Sequence, residues 1–232
     1  MRYLVLLFLL SCQPVVQKPS YIQAEKLFEQ QKFIDSAHML SQLLDLDPKL
    51  PNARNLLARC FFFLGNPDRS IQELQLVLTH TEPGSTQNLD ALFLVGAVAL
   101  ESNSHLEKGT RAWELYLRVA PPSALTPQVQ AGLLELRALE KPATATRLAR
   151  TYIQKSQVAR ALMIFEGILN RYPTYVPAWH YQGMAFIMAG EPSKAVASWK
   201  QVFQKDPKYA KKFKLDQRIA VAEKMYYAPG KR

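Results

Sequence analysis

The chain has 232 residues, 48% of them hydrophobic, with nine glycines, two cysteines, four histidines and a net charge of +10. That supplies one elongated domain with ample core. So few glycines, and no run of alternating apolar and polar residues, argue against strands. His38, His80, His105 and His180 show no metal-ligand spacing with one another or with Cys60, and no phosphate-cradling loop or nucleophile elbow occurs, so neither a cofactor nor catalysis is expected.

Residues 1–12 read MRYLVLLFLLSC, in which Arg2 precedes an apolar run from Leu4 to Leu10. The run is far short of the about 20 residues that span a bilayer, and it sits at the short limit for a secretory signal. Its ending, Leu9-Leu10-Ser11-Cys12, resembles a bacterial lipobox. The resemblance implies a signal peptide over 1–11 and an acylated Cys12 as mature N-terminus, followed by a Pro-containing tether to residue 20. Several acyl chains anchor stably, since each buried CH₂ contributes about 0.8 kcal/mol. The residue after Cys12 is Gln13 and not Asp, which by the lipoprotein rule favours the outer membrane, facing the periplasm. The alternative is a cytosolic protein whose first helix begins apolar, with Cys12 incidental. Cys60 is expected to be a small buried core residue.

From about residue 17 a period of 34 governs the chain. With Pro48 as a closing proline, Ala24, Leu27, Phe33, Ser36, Leu40 and Leu43 form a first frame. A second begins at Pro51 with Leu57, Ala58, Phe61, Gly65, Ser70, Leu74 and Val77, and closes near Glu82-Pro83. A weaker third, with Leu92, Gly96, Trp113, Tyr116 and Pro121, needs about one inserted residue. Residues 126–140 read as a single helix with Leu133, Leu134, Leu136 and Leu139 on its apolar face, either a cap on the first three units or part of a degenerate sixth. The preceding stretch 121–127, PPSALTP, is the natural place for a bend.

The frame is clearest over 142–209. Trp179, Gly183, Phe186, Ala195, Trp199 and Pro207 recur, shifted by 34, as Ala145, Ala149, Tyr152, Ala161, Phe165 and Pro173. Small residues let two antiparallel helices approach, bulky ones fill the space between neighbouring pairs, and the prolines stop the second helix. The sequence thus resembles the tetratricopeptide-repeat family over roughly 17–209, with units 1–3 at 21–121, a linker and extra helix at 122–141, and units 4–5 at 142–209. The resemblance implies an all-α, right-handed superhelical solenoid closed by a capping helix. A basic cap and tail over 210–232 follow, with Phe213, Ile219, Ala220 and Met225 expected to be buried.

In that family the first helix of each unit lines a concave groove. Carried over, the lining positions are Asn52, Asn55, Arg59, Phe62 and Phe63 in unit two, Thr146, Arg150, Ile153 and Gln154 in unit four, and His180, Met184, Ile187 and Met188 in unit five. Phe61-Phe62-Phe63 cannot all enter one core, because adjacent helical positions point apart. The charge is uneven: Lys194 to Arg232 holds eleven Lys/Arg against three acids, and the remaining residues are nearly balanced. Lys208, Lys211, Lys212, Lys214 and Arg218 therefore form either a docking patch for an anionic lipid, polymer or protein surface, or the solvated face of a cap. No nucleic-acid module appears.

The function this implies is a protein–protein adaptor on the bacterial envelope, similar in plan to the tetratricopeptide lipoproteins that pilot type IV pilus secretins, or to a motility or cell-wall scaffold. The rival readings are a soluble cytosolic chaperone or regulator that holds an export substrate in the groove, and a periplasmic activator of a cell-wall synthase.

Overall fold

A computed structural model describes residues 19–227; Cys12, the signal segment, most of the tether and the tail 228–232 lie outside the described residues. The helices are α1 Tyr21–Glu29, α2 Phe33–Leu46, α3 Pro51–Phe63, α4 Pro67–His80, α5 Thr86–Ser102, α6 Leu106–Val119, α7 Thr126–Glu140, α8 Pro142–Gln154, α9 Val158–Arg171, α10 Val176–Met188, α11 Pro192–Lys205, α12 Pro207–Lys212 and α13 Leu215–Tyr227. Proline stands in the first turn of α3, α4, α7, α8, α10, α11 and α12, where its missing N–H costs nothing and its fixed φ favours the helix.

Five antiparallel pairs result: α1/α2, α3/α4, α5/α6, α8/α9 and α10/α11. Within each pair the turn is made by one residue in the left-handed region: Gln31, Gly65, Asn103, Ser156 and Gly190. Asn103 is followed two residues later by a second such residue, His105, which accommodates the extra residue of the third pair. The small residues sit where the pairs close. Ser36, Ser70, Ala161 and Ala195 are fully buried, and a Cβ on Gly109 would fall 2.4 Å from that of Ala99. Ser36 Oγ also donates to the Ala24 carbonyl at 2.8 Å, tying α2 to α1.

The aromatic slots behave as expected. Trp113 lies against Gly96 and donates Nε1–H to the Phe93 carbonyl at 3.0 Å. Trp199 repeats this against Gly183, donating to the His180 carbonyl at 3.0 Å. Phe165 is fully buried in the same slot. Cys60 is fully buried, its Sγ 3.4 Å from Ser36 Oγ, and burial raises its thiol pKa.

Helix α7 takes the place of a first helix without a second. It packs on α5 and α6 as α3 packs on α1 and α2, and only Lys141 separates it from α8. Glu135 of α7 accepts from Tyr152 Oη at 2.7 Å and from Arg160 at 2.9 Å, so the fourth pair is bonded directly onto it. Arg171 of α9 donates to the carbonyls of Asn103 and Leu139, at 3.1 and 3.3 Å. One hydrophobic core then runs from Ala58 through Leu133, Leu136 and Leu139 to Ala185. The bend expected at 121–127 is therefore no break in the core.

Two expectations of buried faces fail. Leu134 is 68% exposed, and Val129 and Gly132 are buried in its stead, because the face that meets Trp113 is centred on Gly132. In the cap, Ala220 and Met225 are exposed while Leu215 and Ala222 are buried. The cap is two helices, and the turn between them at Phe213–Lys214, with Lys214 at φ 52°, resets the helical phase.

Candidate partner-binding groove

The first helices share one face. Tyr21 of α1, Asn52, Asn55, Leu56 and Arg59 of α3, and Asp90, Phe93 and Leu94 of α5 line a cavity of about 390 Å³ with Leu125, and no second helix contributes. Asn52 and Arg59 are exposed. Asn55 is buried, its amide donating to the Gln87 carbonyl at 3.2 Å, while its Oδ1 has no partner among the described residues. A buried acceptor left open in a cavity wall has a desolvation cost that a ligand N–H would relieve. Burial raises the pKa of Asp90, and the charge of Arg59 opposes the shift.

Arg59 is the shared element of this half. It lines the 390 Å³ cavity, a second of about 470 Å³ with Phe28, Phe33 and Phe63, and a third of about 230 Å³ with Phe62, Phe63 and Leu94. Its guanidinium stands 4.6 Å from the Phe28 ring centre in a cation–π geometry, and Asp90, Glu25, Glu29 and Glu101 share the three cavities with it.

The three consecutive phenylalanines divide. Phe61 packs into the core of the first two pairs, Phe62 is half-buried on the next core, and Phe63 is 56% exposed. Phe63 stacks on Phe33 with centroids 4.8 Å apart and meets Phe28 edge-on, so an aromatic surface continues the groove towards α1.

The remaining groove positions are not brought to this site. Arg150 is exposed and stands 4.5 Å from the Tyr181 ring centre. Met184 lines a separate cavity of about 520 Å³ beside α13. His180 is only 2% exposed, against the expectation of a groove position: Phe213 packs on it, and Tyr209 lies within hydrogen-bond reach of Nδ1 at 3.1 Å. Burial, with Arg218 and Arg150 nearby, lowers its pKa to about 4. Thr146 is buried as well. Of the basic residues, Lys208, Lys211 and Lys212 are exposed on α12, while Lys214 and Arg218 line the 520 Å³ cavity. Among the described residues, none of these five forms an ion pair with a carboxylate.

The sequence reading missed Tyr21, Asp90 and Phe93 at the first cavity and Phe28 at the second. Tyr21 and Phe28 open and close the first helix of unit one, and Asp90 and Phe93 occupy the first helix of unit three. The family's lining rule applied to those two helices would have reached them. Among the described residues, no group of three or more His, Cys, Asp or Glu is placed to hold a metal ion, and no helix is long and apolar enough to cross a membrane.

A face of first helices running along stacked helical pairs defines an α-solenoid with a lateral groove. Models of the tetratricopeptide repeat match residues 27–83 and 146–175, so the chain carries tetratricopeptide repeats in both halves. Among solved structures it is similar to the crystal structure of MamA (17% identity, covering 82% of this chain and 92% of that one, TM-score 0.37). It is also similar to YrrB, described as a TPR protein with an unusual peptide-binding site (13%, 84% and 90%, 0.36). A third is the TPR2AB domain of yeast Sti1 in complex with pHSP90 (16%, 81% and 76%, 0.43). No curated protein matches the sequence.

Proposed function

We propose that this protein is a non-catalytic adaptor that seats a segment of a partner protein across its first three helical pairs, with Arg59 as the anchor. The observation that carries the reading is that one exposed guanidinium, in no ion pair among the described residues, lines three cavities on one face, beside Asp90 in the first, Glu25 and Glu29 in the second and Glu101 in the third. A bound segment would place a backbone carbonyl at Arg59, an N–H at the open Oδ1 of Asn55, and apolar side chains against Phe33, Phe63 and Leu94. Nothing in this arrangement requires a cofactor.

The lipobox-like Leu9-Leu10-Ser11-Cys12 supports a second part of the proposal. The adaptor is tethered to the bacterial outer membrane through acylated Cys12, faces the periplasm, and helps assemble or position an envelope complex. Piloting a type IV pilus secretin is one form of that work, and a motility or cell-wall scaffold is another.

Two experiments test the two parts separately. Metabolic labelling with a fatty-acid analogue should tag the wild type and leave Cys12→Ala unlabelled; a wild type that takes up no label and fractionates with the cytosol refutes the anchor. Arg59→Glu combined with Phe63→Ala, both exposed positions, should abolish partner recovery from crosslinked envelopes. Unchanged recovery refutes the groove.

A further inference from the structure

Each first helix of the solenoid rests on the first helix before it: α3 on α1, α5 on α3, α7 on α5 and α10 on α8. Helix α13 occupies the next such place, packing on α11 and α12, yet it makes no comparable packing with α10. The gap is the 520 Å³ cavity, larger than each of the three that Arg59 lines. Trp199 and Ala222, both buried, form its floor.

The mouth of this cavity is the wrong chemistry for a terminal cap, which should turn a polar face outward. Met188, Val221 and Met225 line it and are 52%, 59% and 54% exposed. With Met184, three of the chain's six methionines meet here. Methionine side chains are unbranched and polarisable, and they adapt to apolar groups of varied shape. Lys214 and Arg218 stand at the same cavity without a carboxylate partner among the described residues, and Lys214 is held in a left-handed conformation that a lysine rarely adopts.

We propose that this cavity is a second docking site, for an amphipathic helix of a partner protein whose apolar side chains fill the gap between α10 and α13 and whose flanking residues are acidic. Charge selects this occupant. The chain's own tail carries Lys231 and Arg232 and would be repelled by Lys214 and Arg218. A second copy docking through the same face would set these cations against themselves. An acidic helix pairs with them while its apolar stripe, repeating every three or four residues, enters the trough. The proposal does not depend on the Arg59 groove and names a different end of the molecule.

The test uses the full-length protein and two labelled synthetic peptides of roughly 16 residues, about four helical turns. Both carry leucines at helical spacing; one has glutamate and the other lysine at all remaining positions. The glutamate peptide should bind, more weakly as salt rises, and the lysine peptide should not. Met188→Glu should weaken binding by at least about tenfold, and Arg218→Glu should shift preference towards the lysine peptide. Both positions are exposed, and an unchanged thermal midpoint confirms folding. Arg59→Glu should leave binding unaltered. Equal binding of the two peptides, or no effect of Met188→Glu, overturns the proposal. So does sedimentation with phosphatidylglycerol vesicles that Met188→Glu abolishes while the glutamate peptide fails to bind, which would make the site a lipid site. Concentration-dependent self-association lost in Met188→Glu overturns it in favour of a second copy.

Discussion

Replacing Gly132 by alanine should destabilise the protein, although the same change in an ordinary helix stabilises it. A Cβ at Gly132 would lie 2.2 Å from Trp113 Cζ3 and 2.5 Å from Cη2. Ordinary contact begins near 3.4 Å, so the indole must retreat by about an ångström. It has nowhere to go. On its other side the space over Gly96 is already filled, and its N–H is bonded to the Phe93 carbonyl at 3.0 Å. Overpacking of this kind costs about 1–3 kcal/mol, and loosening the indole hydrogen bond adds about 1 kcal/mol. Against this, removing a glycine from a helix interior gains about 1 kcal/mol. The net expectation is a loss of about 1–3 kcal/mol, read by urea unfolding followed by far-ultraviolet circular dichroism. Trp113→Leu in the same chain should make room and reverse the sign of the Gly132→Ala effect, a coupling that a double-mutant cycle measures. If Gly132→Ala alone stabilises by about 1 kcal/mol, α7 does not rest on Trp113 and the continuous solenoid is wrong.

Further expectations follow from the same geometry. Burial holds His180 neutral down to about pH 4, whereas in the unfolded chain it protonates near 6.5. The unfolded state therefore binds the extra proton between these values, and stability present above pH 6.5 should fall as pH drops towards 4, by roughly 2–4 kcal/mol. His180→Gln should flatten that window in unfolding measurements at pH 7.5 and pH 5. Ser156 adopts φ 59° at a helical turn where the equivalent residue 34 positions on is Gly190, so Ser156→Gly should stabilise by about 0.5–1 kcal/mol in the same urea assay. Arg171→Ala removes the guanidinium that bonds the carbonyls of Asn103 and Leu139, and should cost about 2–3 kcal/mol with faster amide exchange around the α5–α6 turn and the end of α7.

What was legible in the sequence is what repeats. The interval between Phe165 and Trp199, or between Ser36 and Ser70, reports the same packing slot revisited, and the limits 126–140 of α7 follow from flanking prolines. The weaker third unit was legible too, because Trp113 over Gly96 survives its extra residue. The failures occur where the phase depends on one local event or on a remote element. Lys214 in the left-handed region breaks the cap in two, which turns Met225 outward and Leu215 inward, and no periodicity foretells that break. His180 occupies a groove position in the repeat but is covered by Tyr209 and Phe213, which arrive from the short helix after the last unit and its following turn. The cavity beside α13 exists only because two helices at distant positions stand apart, so no stretch of sequence contains it. The N-terminal site was half legible: the lining rule carried onto unit two reaches Asn52, Asn55 and Arg59, while Asp90 and Phe93 belong to the weaker third frame with its inserted residue.

The adaptor reading rests on the groove face being the one that partners touch. A photoreactive amino acid placed at Asn52, on the groove, or at Gln42, on the exposed side of the second helix α2, compares the two faces in cells. The groove account predicts a discrete protein adduct from position 52 that disappears when Arg59→Glu is added, and no adduct from position 42. Adducts from position 42 alone, or adducts at position 52 that persist with Arg59→Glu, would contradict it.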